Sequence, residues 1–221
     1  MGRQAARPPA ARSPLPPRRR RKELRPGEIL DAAFEEFAVN GFAATRLDDV
    51  ARRAGIAKGT IYVYFKNKEQ LFRAVVRKLI VPILEQFDAA AVSFSGTTED
   101  LVRQLLSKHY AKVVSNPKAR ALLRLMVAES SRFPQLAEIY YREVIERGRK
   151  IIQRVLARGM ESGEFSRAKA ADFPQMLMAP AALAVLWMLI FGERHPLDLN
   201  AYREAHLDLI LNGVKASQRA T

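Results

Sequence analysis

The sequence has no cysteine, which excludes a disulfide framework, a cysteine nucleophile and a zinc–thiolate centre. Histidine is scarce: His109, His195 and His206 are the whole set, and no two stand at metal-ligand spacing. No GxSxG, P-loop or HExxH motif is present. Asp48 and Asp49 are adjacent, so they diverge on a helix and cannot act as an acid/base pair. The expectation is a protein that is not an enzyme, with no catalytic residue, no metal and no cofactor. A long hydrophobic run is also missing. The segment Met176 to Phe191 is 16 residues without a charge and contains Pro180. It falls short of the ~20 residues of a bilayer span, so it reads as a buried helix with no membrane partner. The basic start lacks the apolar segment of a signal peptide. Pro8, Pro9, Pro14, Pro16 and Pro17 forbid the amphipathic helix of a mitochondrial presequence. A cytoplasmic location is expected.

Acidic residues are absent from the first 22 positions, which hold eight Lys/Arg, including the run Arg18 to Lys22. The rest of the 221 residues carries 29 basic and 23 acidic side chains, so most of the net charge of +14 lies in the arm. Such a balance favours a polyanionic partner, nucleic acid above all. Residues 1–22 are expected to form a disordered basic arm, whose Arg18 to Lys22 run is either solvated or tracks phosphates or enters a minor groove. A general nucleic-acid-binding protein acting through this arm is the alternative functional reading.

From Pro26 onward the apolar pattern is helical. It predicts an all-α fold of about nine helices. Helix 1 runs from Pro26 to Asn40, with Gly41 in the left-handed position that ends it. Helix 2 follows Thr45, whose spacing to Asp48 suggests a capping box. Helix 3 is short, Lys58 to Tyr64. Helix 4 opens at Asn67, and Pro82 inside it is expected to bend it. Further helices are predicted at 98–115, 118–131, 135–162, 170–191 and 199–214. The expected organisation is the arm, a DNA-binding unit over 23–70 and a helical body over 71–216.

The most informative stretch is residues 45–68, TRLDDVARRAGIAKGTIYVYFKNK. Two short helices flank Gly55-Ile56-Ala57, a three-residue turn opening with glycine, which is the helix-turn-helix signature. On helix 3, Ile61 and Phe65 share the inward side. Gly59 and Val63 point away, flanked by Thr60 and Tyr62. A merely solvated face would carry Glu and Lys instead. Glycine permits close approach, hydroxyls reach phosphates or base edges, and Val63 can meet a thymine methyl. Seven helical residues span ~10 Å, which fits a major groove ~12 Å wide. Lys68 at the start of helix 4, Thr45 and Arg46 at helix 2, and Lys58 at helix 3 complete the expected contacts.

These residues resemble the TetR family of bacterial transcription regulators. The likeness rests on the Ala-Ala-Phe-Glu-Glu-Phe run of helix 1, Asn40-Gly41-Phe42, Thr45, Val50-Ala51, Ala54-Gly55-Ile56, Lys58 to Tyr62, Tyr64-Phe65 and Lys68-Glu69. It covers about 50 of the 221 residues. The resemblance implies an all-helical homodimer with an N-terminal DNA-binding domain and a C-terminal domain for ligand binding and dimerisation. It also implies DNA contacts at Thr45, Arg46, Lys58, Gly59, Thr60, Tyr62, Tyr64 and Lys68. Two positions depart from the pattern: Ala57, where many members carry Ser or Thr, and Val63, where many carry Tyr.

The function expected from these readings is a ligand-responsive repressor that releases a palindromic operator on double-stranded DNA when a small hydrophobic or amphipathic inducer binds. Phe87, His109, Met126, Glu129 and Tyr140 are the candidate pocket residues; His109 also reads as a hydrogen-bonded core histidine, Met126 as core filling, and Glu129 as an acid paired with Arg124 or His109. Glu129 would favour an inducer with a cationic or hydrogen-bond-donating group. The last two helices, too apolar to face water, are expected to form the dimer contact.

Overall fold

The computed structural model describes residues 18–166 and 172–214, with the backbone alone for 18–25. Within them the chain forms nine helices and no β-strand. They are α1 (Arg18–Ala44), α2 (Leu47–Arg53), α3 (Lys58–Tyr64), α4 (Lys68–Ser93) and α5 (Thr98–His109, extended by a π-helical turn Tyr110–Val114). Next come α6 (Pro117–Glu129) and α7 (Pro134–Tyr140, then a π-helical turn Tyr141–Ile145, then Glu146–Glu161). The last two are α8 (Pro174–Phe191) and α9 (Leu199–Val214).

Helix α1 starts eight residues earlier than its sequence pattern suggests. Arg18 to Lys22, expected in the disordered arm, is helical backbone; arginine and leucine are strong helix formers, and the cluster of prolines ends at Pro17. The remainder of the arm, residues 1–17, lies outside the described residues. At the other end, Gly41 has φ 74° and ψ 172°, a conformation open to glycine. The helix therefore breaks where expected, with one further turn to Ala44 beyond it.

The Thr45–Asp48 capping box does not form. The N-cap of α2 is Arg46, without a side-chain hydrogen bond. Thr45 is buried, and its hydroxyl donates to the Gly41 carbonyl at 2.7 Å. It closes the corner between α1 and α2 instead of capping α2. By contrast, Asn67 caps α4 by accepting from the Gln70 amide at 2.8 Å. Helix α4 then runs unbroken through Pro82.

Ile29, Ala33 and Phe37 form the inward stripe of α1. They pack against Val50 and Ala51 of α2, Ile61 of α3, and Leu71, Phe72, Val75 and Val76 of α4. Phe37, Phe42, Phe72 and Phe133 interlock with centroid separations of 5.2 to 5.8 Å, each pair contributing about 0.5–1.5 kcal/mol beyond its buried area. The same core continues into Leu122, Leu125 and Met126 of α6 and Leu136 and Ile139 of α7. The division expected at residue 70 therefore cuts through a shared core: the first three helices bury their apolar faces only with the help of α4, α6 and α7. A second core joins α5, α8 and α9 around Leu106, Ala184, Val185 and Leu207.

Candidate DNA interface and effector cavity

Gly55 has φ 64° and lets the chain reverse between α2 and α3. The Ile56 amide donates to the Ala51 carbonyl at 3.0 Å, and the Ile56 side chain packs on the first core. Ile61, fully buried, anchors α3. Opposite it, Val63 is 81% exposed and Tyr62 46% exposed. Lys58, Gly59 and Arg46 are exposed as well. A Cβ on Gly59 would meet nothing within 4 Å, so the protein itself gives no steric reason for a glycine there. These five residues form a raised surface centred on α3.

Four of the expected contacts differ in degree. Thr60 is half-buried, and Tyr64 is half-buried with its ring against the first core. Thr45 is turned inward, as described. Lys68 is not free: its ammonium donates to the carbonyls of Phe42 at 2.5 Å and Ala43 at 3.1 Å and lies 4.4 Å from the centre of the Phe42 ring. Partial burial pushes its pKa down. Lys68 thus caps the carbonyl end of α1, which the spacing from Asn67 did not show because the partner lies 25 residues away.

Most other cations of this unit are also engaged. Arg52 pairs with Asp49 at 2.7 Å, and Arg53 pairs with Glu36 at 2.7 Å and Glu35 at 3.1 Å. Lys58 pairs with Asp48 at 2.7 Å. Asp48 escaped sequence reasoning as part of the surface because it was assigned to a capping box.

Beneath α4 lies a cavity of about 690 Å³, within the size range of small-molecule sites. Its walls are Ile80, Ile83, Leu84 and Phe87 of α4, the inner face of α5 with His109, Ala119 and Leu123 of α6, and apolar side chains of α7 and α8. Phe87, His109 and Tyr140 line it, as the sequence suggests. Met126 and Glu129 do not. Met126 points into the first core. Glu129 ends α6 beside Gly41, where a Cβ on Gly41 would come within 2.5 Å of its Oε1. Leu122, Leu125 and Met126 form the inward side of α6, which faces the first core; of α6, Ala119 and Leu123 reach the cavity.

His109 is enclosed by protein, and the surface it retains faces the cavity. Burial, with a smaller repulsion from His206, pushes its pKa down to about 4, so it is neutral at pH 7. Burial also pushes the Tyr140 hydroxyl up. At the cavity's edge stand exposed residues of α7 (Tyr141, Ile145 and Arg149) and of α8 (Gln175 and Ala179). Arg149 is the one charged residue of the lining. Tyr141, Ile145 and Arg149 recur every four positions, a spacing readable in the sequence but not singled out by its apolar pattern.

The outer side of α8 is the other unusual surface. Ile190 is 68% exposed and Leu183 54%, and the rings of Trp187 and Phe191 lie tilted against each other with centroids 5.0 Å apart. The helix is long and apolar enough to cross a membrane by composition, yet its inner side, Ala181, Ala184 and Val185, packs into the second core.

A helix-turn-helix with an outward reading helix, seated on a helical body that encloses an apolar cavity, defines a ligand-controlled DNA-binding protein. Comparison with known proteins gives the same class. Residues 29–75 match the bacterial regulatory proteins of the tetR family, and residues 103–205 match the C-terminal domain of AefR-like transcriptional repressors. The fatty acid metabolism regulator protein of Bacillus subtilis (strain 168) is 25% identical over 198 residues, 87% of this chain and 98% of that one. The uncharacterized HTH-type transcriptional regulator YhgD of the same strain is 30% identical over 170 residues, 76% of this chain and 84% of its own. The crystal structure of the transcriptional regulator FadR from Bacillus subtilis in complex with stearoyl-CoA superimposes with a TM-score of 0.70 at 24% identity, covering 85% of this chain and 98% of that one. The chain belongs to the TetR family, and it is a ligand-responsive DNA-binding transcriptional repressor.

Proposed function

We propose that a homodimer of this protein holds two α3 helices in successive major grooves of a palindromic operator, and that a long amphipathic molecule in the cavity releases it. One observation carries this reading. Helix α4 is shared: Leu71 to Val76 pack under the helix-turn-helix, while Ile80 to Phe87 form a cavity wall. Its 26 residues span ~39 Å, so a tilt imposed at the cavity is amplified at the DNA end. Tight side-chain packing along α4 makes that displacement a rigid one.

The cavity chemistry supports an effector with an apolar body and an anionic head. The walls are almost entirely aliphatic and aromatic. The charge at the edge is Arg149, which has no ion pair among the described residues, whereas its neighbours Arg147 and Lys150 pair with Glu143 and Glu146. The cationic preference expected from Glu129 is withdrawn, because Glu129 stands outside the cavity. Stearoyl-CoA, bound by the FadR structure, has an apolar chain and an anionic head of this kind. A differential affinity of ~1–3 kcal/mol for the released state lowers operator affinity about 5–150-fold.

Dimerisation through the outer sides of α8 and α9 accounts for Leu183, Ile190 and Leu209, which are exposed in the single chain. The test is a titration of the protein–operator complex with long-chain fatty acids and their coenzyme A thioesters. Release by compounds that also protect the C-terminal body from hydrogen exchange is expected. Compounds that bind the body and leave operator affinity unchanged overturn the reading.

A further inference from the structure

Two polar side chains of the cavity have no partner in the protein. His109 and Tyr140 both line the cavity and are enclosed by the body, and neither makes a hydrogen bond among the described residues. Their polar atoms are not sealed in protein but open onto the cavity; the one sealed side-chain polar atom without a partner among the described residues is Gln104 Oε1. The wall around them is aliphatic and aromatic, so a molecule that fills the cavity and displaces its water must satisfy them or leave them unpaired.

His206 provides the contrast. It is buried in the second core, and both of its ring nitrogens are engaged. Nε2 donates to the Leu177 carbonyl at 2.7 Å, and Nδ1 accepts from the Tyr110 hydroxyl at 3.0 Å. The tautomer follows from the carbonyl, which can only accept. Where this fold uses histidine as a structural element, it satisfies it. His109 is therefore the exception.

A second observation concerns the backbone. His109 is the last α-helical residue before the π-helical turn Tyr110–Val114. Tyr140 is the last before the π-helical turn Tyr141–Ile145. A π turn inserts one residue into the helix, rotates the register of everything beyond it, and is frequent at functional sites. The two π turns among the described residues thus adjoin these two polar residues.

We propose that the effector carries an uncharged hydrogen-bonding oxygen, a hydroxyl or keto group, along its apolar body, and that His109 and Tyr140 bind that oxygen. This rests on the reading of the cavity as the effector site and specifies what enters it. The neutral imidazole offers one donor and one acceptor, and the phenol offers both. A hydroxyl or ketone satisfies them, whereas a carboxylate against this aliphatic wall would be desolvated without a counter-charge. A plain alkyl chain would leave both groups unsatisfied, and a site built to hydrogen-bond a hydroxyl discriminates strongly against the analogue that lacks it.

The experiment is calorimetric binding of octadecanoate and of positional series of hydroxyoctadecanoates and ketooctadecanoates to the full chain, with operator release followed separately. We expect at least one oxygenated acid to bind about tenfold or more tightly than octadecanoate. In His109→Leu that preference disappears and octadecanoate binds as well or better. Tyr140→Phe, which keeps the ring, reduces the preference, and His109→Gln retains part of it. The proposal is overturned if wild type binds every oxygenated acid no better than octadecanoate, or if the preference survives in both His109→Leu and Tyr140→Phe. A different result marks failure of the underlying reading: none of the acids binds, or they bind without releasing DNA.

Discussion

The Lys58 ammonium lies 2.7 Å from Asp48 Oδ2, and the Tyr62 hydroxyl donates to the other carboxylate oxygen at 3.3 Å. A carboxylate therefore stands inside the surface proposed to meet DNA. The hydrogen bond from Lys58 holds Asp48 below its ordinary pKa, and the same contact raises Lys58; both are charged at neutral pH. A phosphate that approaches Lys58 meets the repulsion of Asp48 and competes with it for the ammonium. Asp48→Asn is expected to raise affinity for random-sequence duplex several-fold and to steepen the dependence of log K on log salt by about 0.9. The ratio of operator to random affinity should fall. Measurement of both affinities across a salt series checks this; an unchanged slope would show that Asp48 does not restrain Lys58.

Gly59 separates folding from recognition. Helix α3 has helical backbone there, and a Cβ would enter open space. Gly59→Ala should therefore stabilise the protein by about 0.5–1 kcal/mol, because alanine loses less conformational entropy in a helix. Operator affinity should fall nonetheless, since the added methyl group stands where α3 approaches the duplex. Thermal unfolding and operator titration of one sample decide it. Undiminished operator binding would show that α3 does not make its close approach at this residue.

The contrast between Gly59 and Lys68 shows how far the residues alone carry the reading. Helix positions followed from local chemistry: the bounds of α3, the Asn67 cap and the Gly41 and Gly55 breaks all depend on residues within a few positions of one another. Exposure of the α3 face followed from the wheel. What local pattern did not contain was where a long side chain ends. Lys68 reaches back to carbonyls of α1, Thr45 turns in to Gly41, and Glu129 sits beside Gly41 rather than in the cavity. For Lys68 and Glu129 the neighbour belongs to another helix, which the wheel does not supply; for Thr45 it is four residues back, across the break at Gly41. The π turns at Tyr110 and Tyr141 were likewise invisible, because an inserted residue leaves the composition of a helix unchanged.

The α8 surface is testable without DNA. Ile190 and Leu183 are exposed in the single chain, yet seven positions apart they share one side of the helix. Ile190→Glu should leave the helix content intact, since the side chain touches little within the chain. It should convert dimers to monomers at micromolar concentration in sedimentation velocity, and it should abolish tight operator binding because one reading helix alone holds half a site. A dimeric Ile190→Glu protein with normal operator affinity would place the interface elsewhere.

Acid stability isolates one carboxylate that secures a cavity wall. Glu164 accepts from the Thr98 amide at 2.7 and 2.9 Å, from the Thr98 hydroxyl at 2.8 Å and from the Glu99 amide at 3.2 Å. Thr97 accepts from the Asp100 amide at 3.1 Å, so the first three free amides of α5 all have acceptors. These hydrogen bonds, the Thr98 amide foremost, hold the Glu164 carboxyl down to about 2, against an ordinary value of 4.5. A depressed pKa stabilises the fold fully above pH 4.5, and the stabilisation is lost as pH falls toward 2. Glu164→Gln should cost about 0.5–2 kcal/mol at pH 7, the usual range for a helix cap. The gap between wild type and variant should close as pH is lowered through that window. Because α5 carries His109, the loss should also weaken effector binding at neutral pH more than it weakens operator binding. Urea titrations at several pH values measure the gap; a difference that stays constant from pH 7 to pH 2 would mean that Glu164 does not stabilise α5 through its charge.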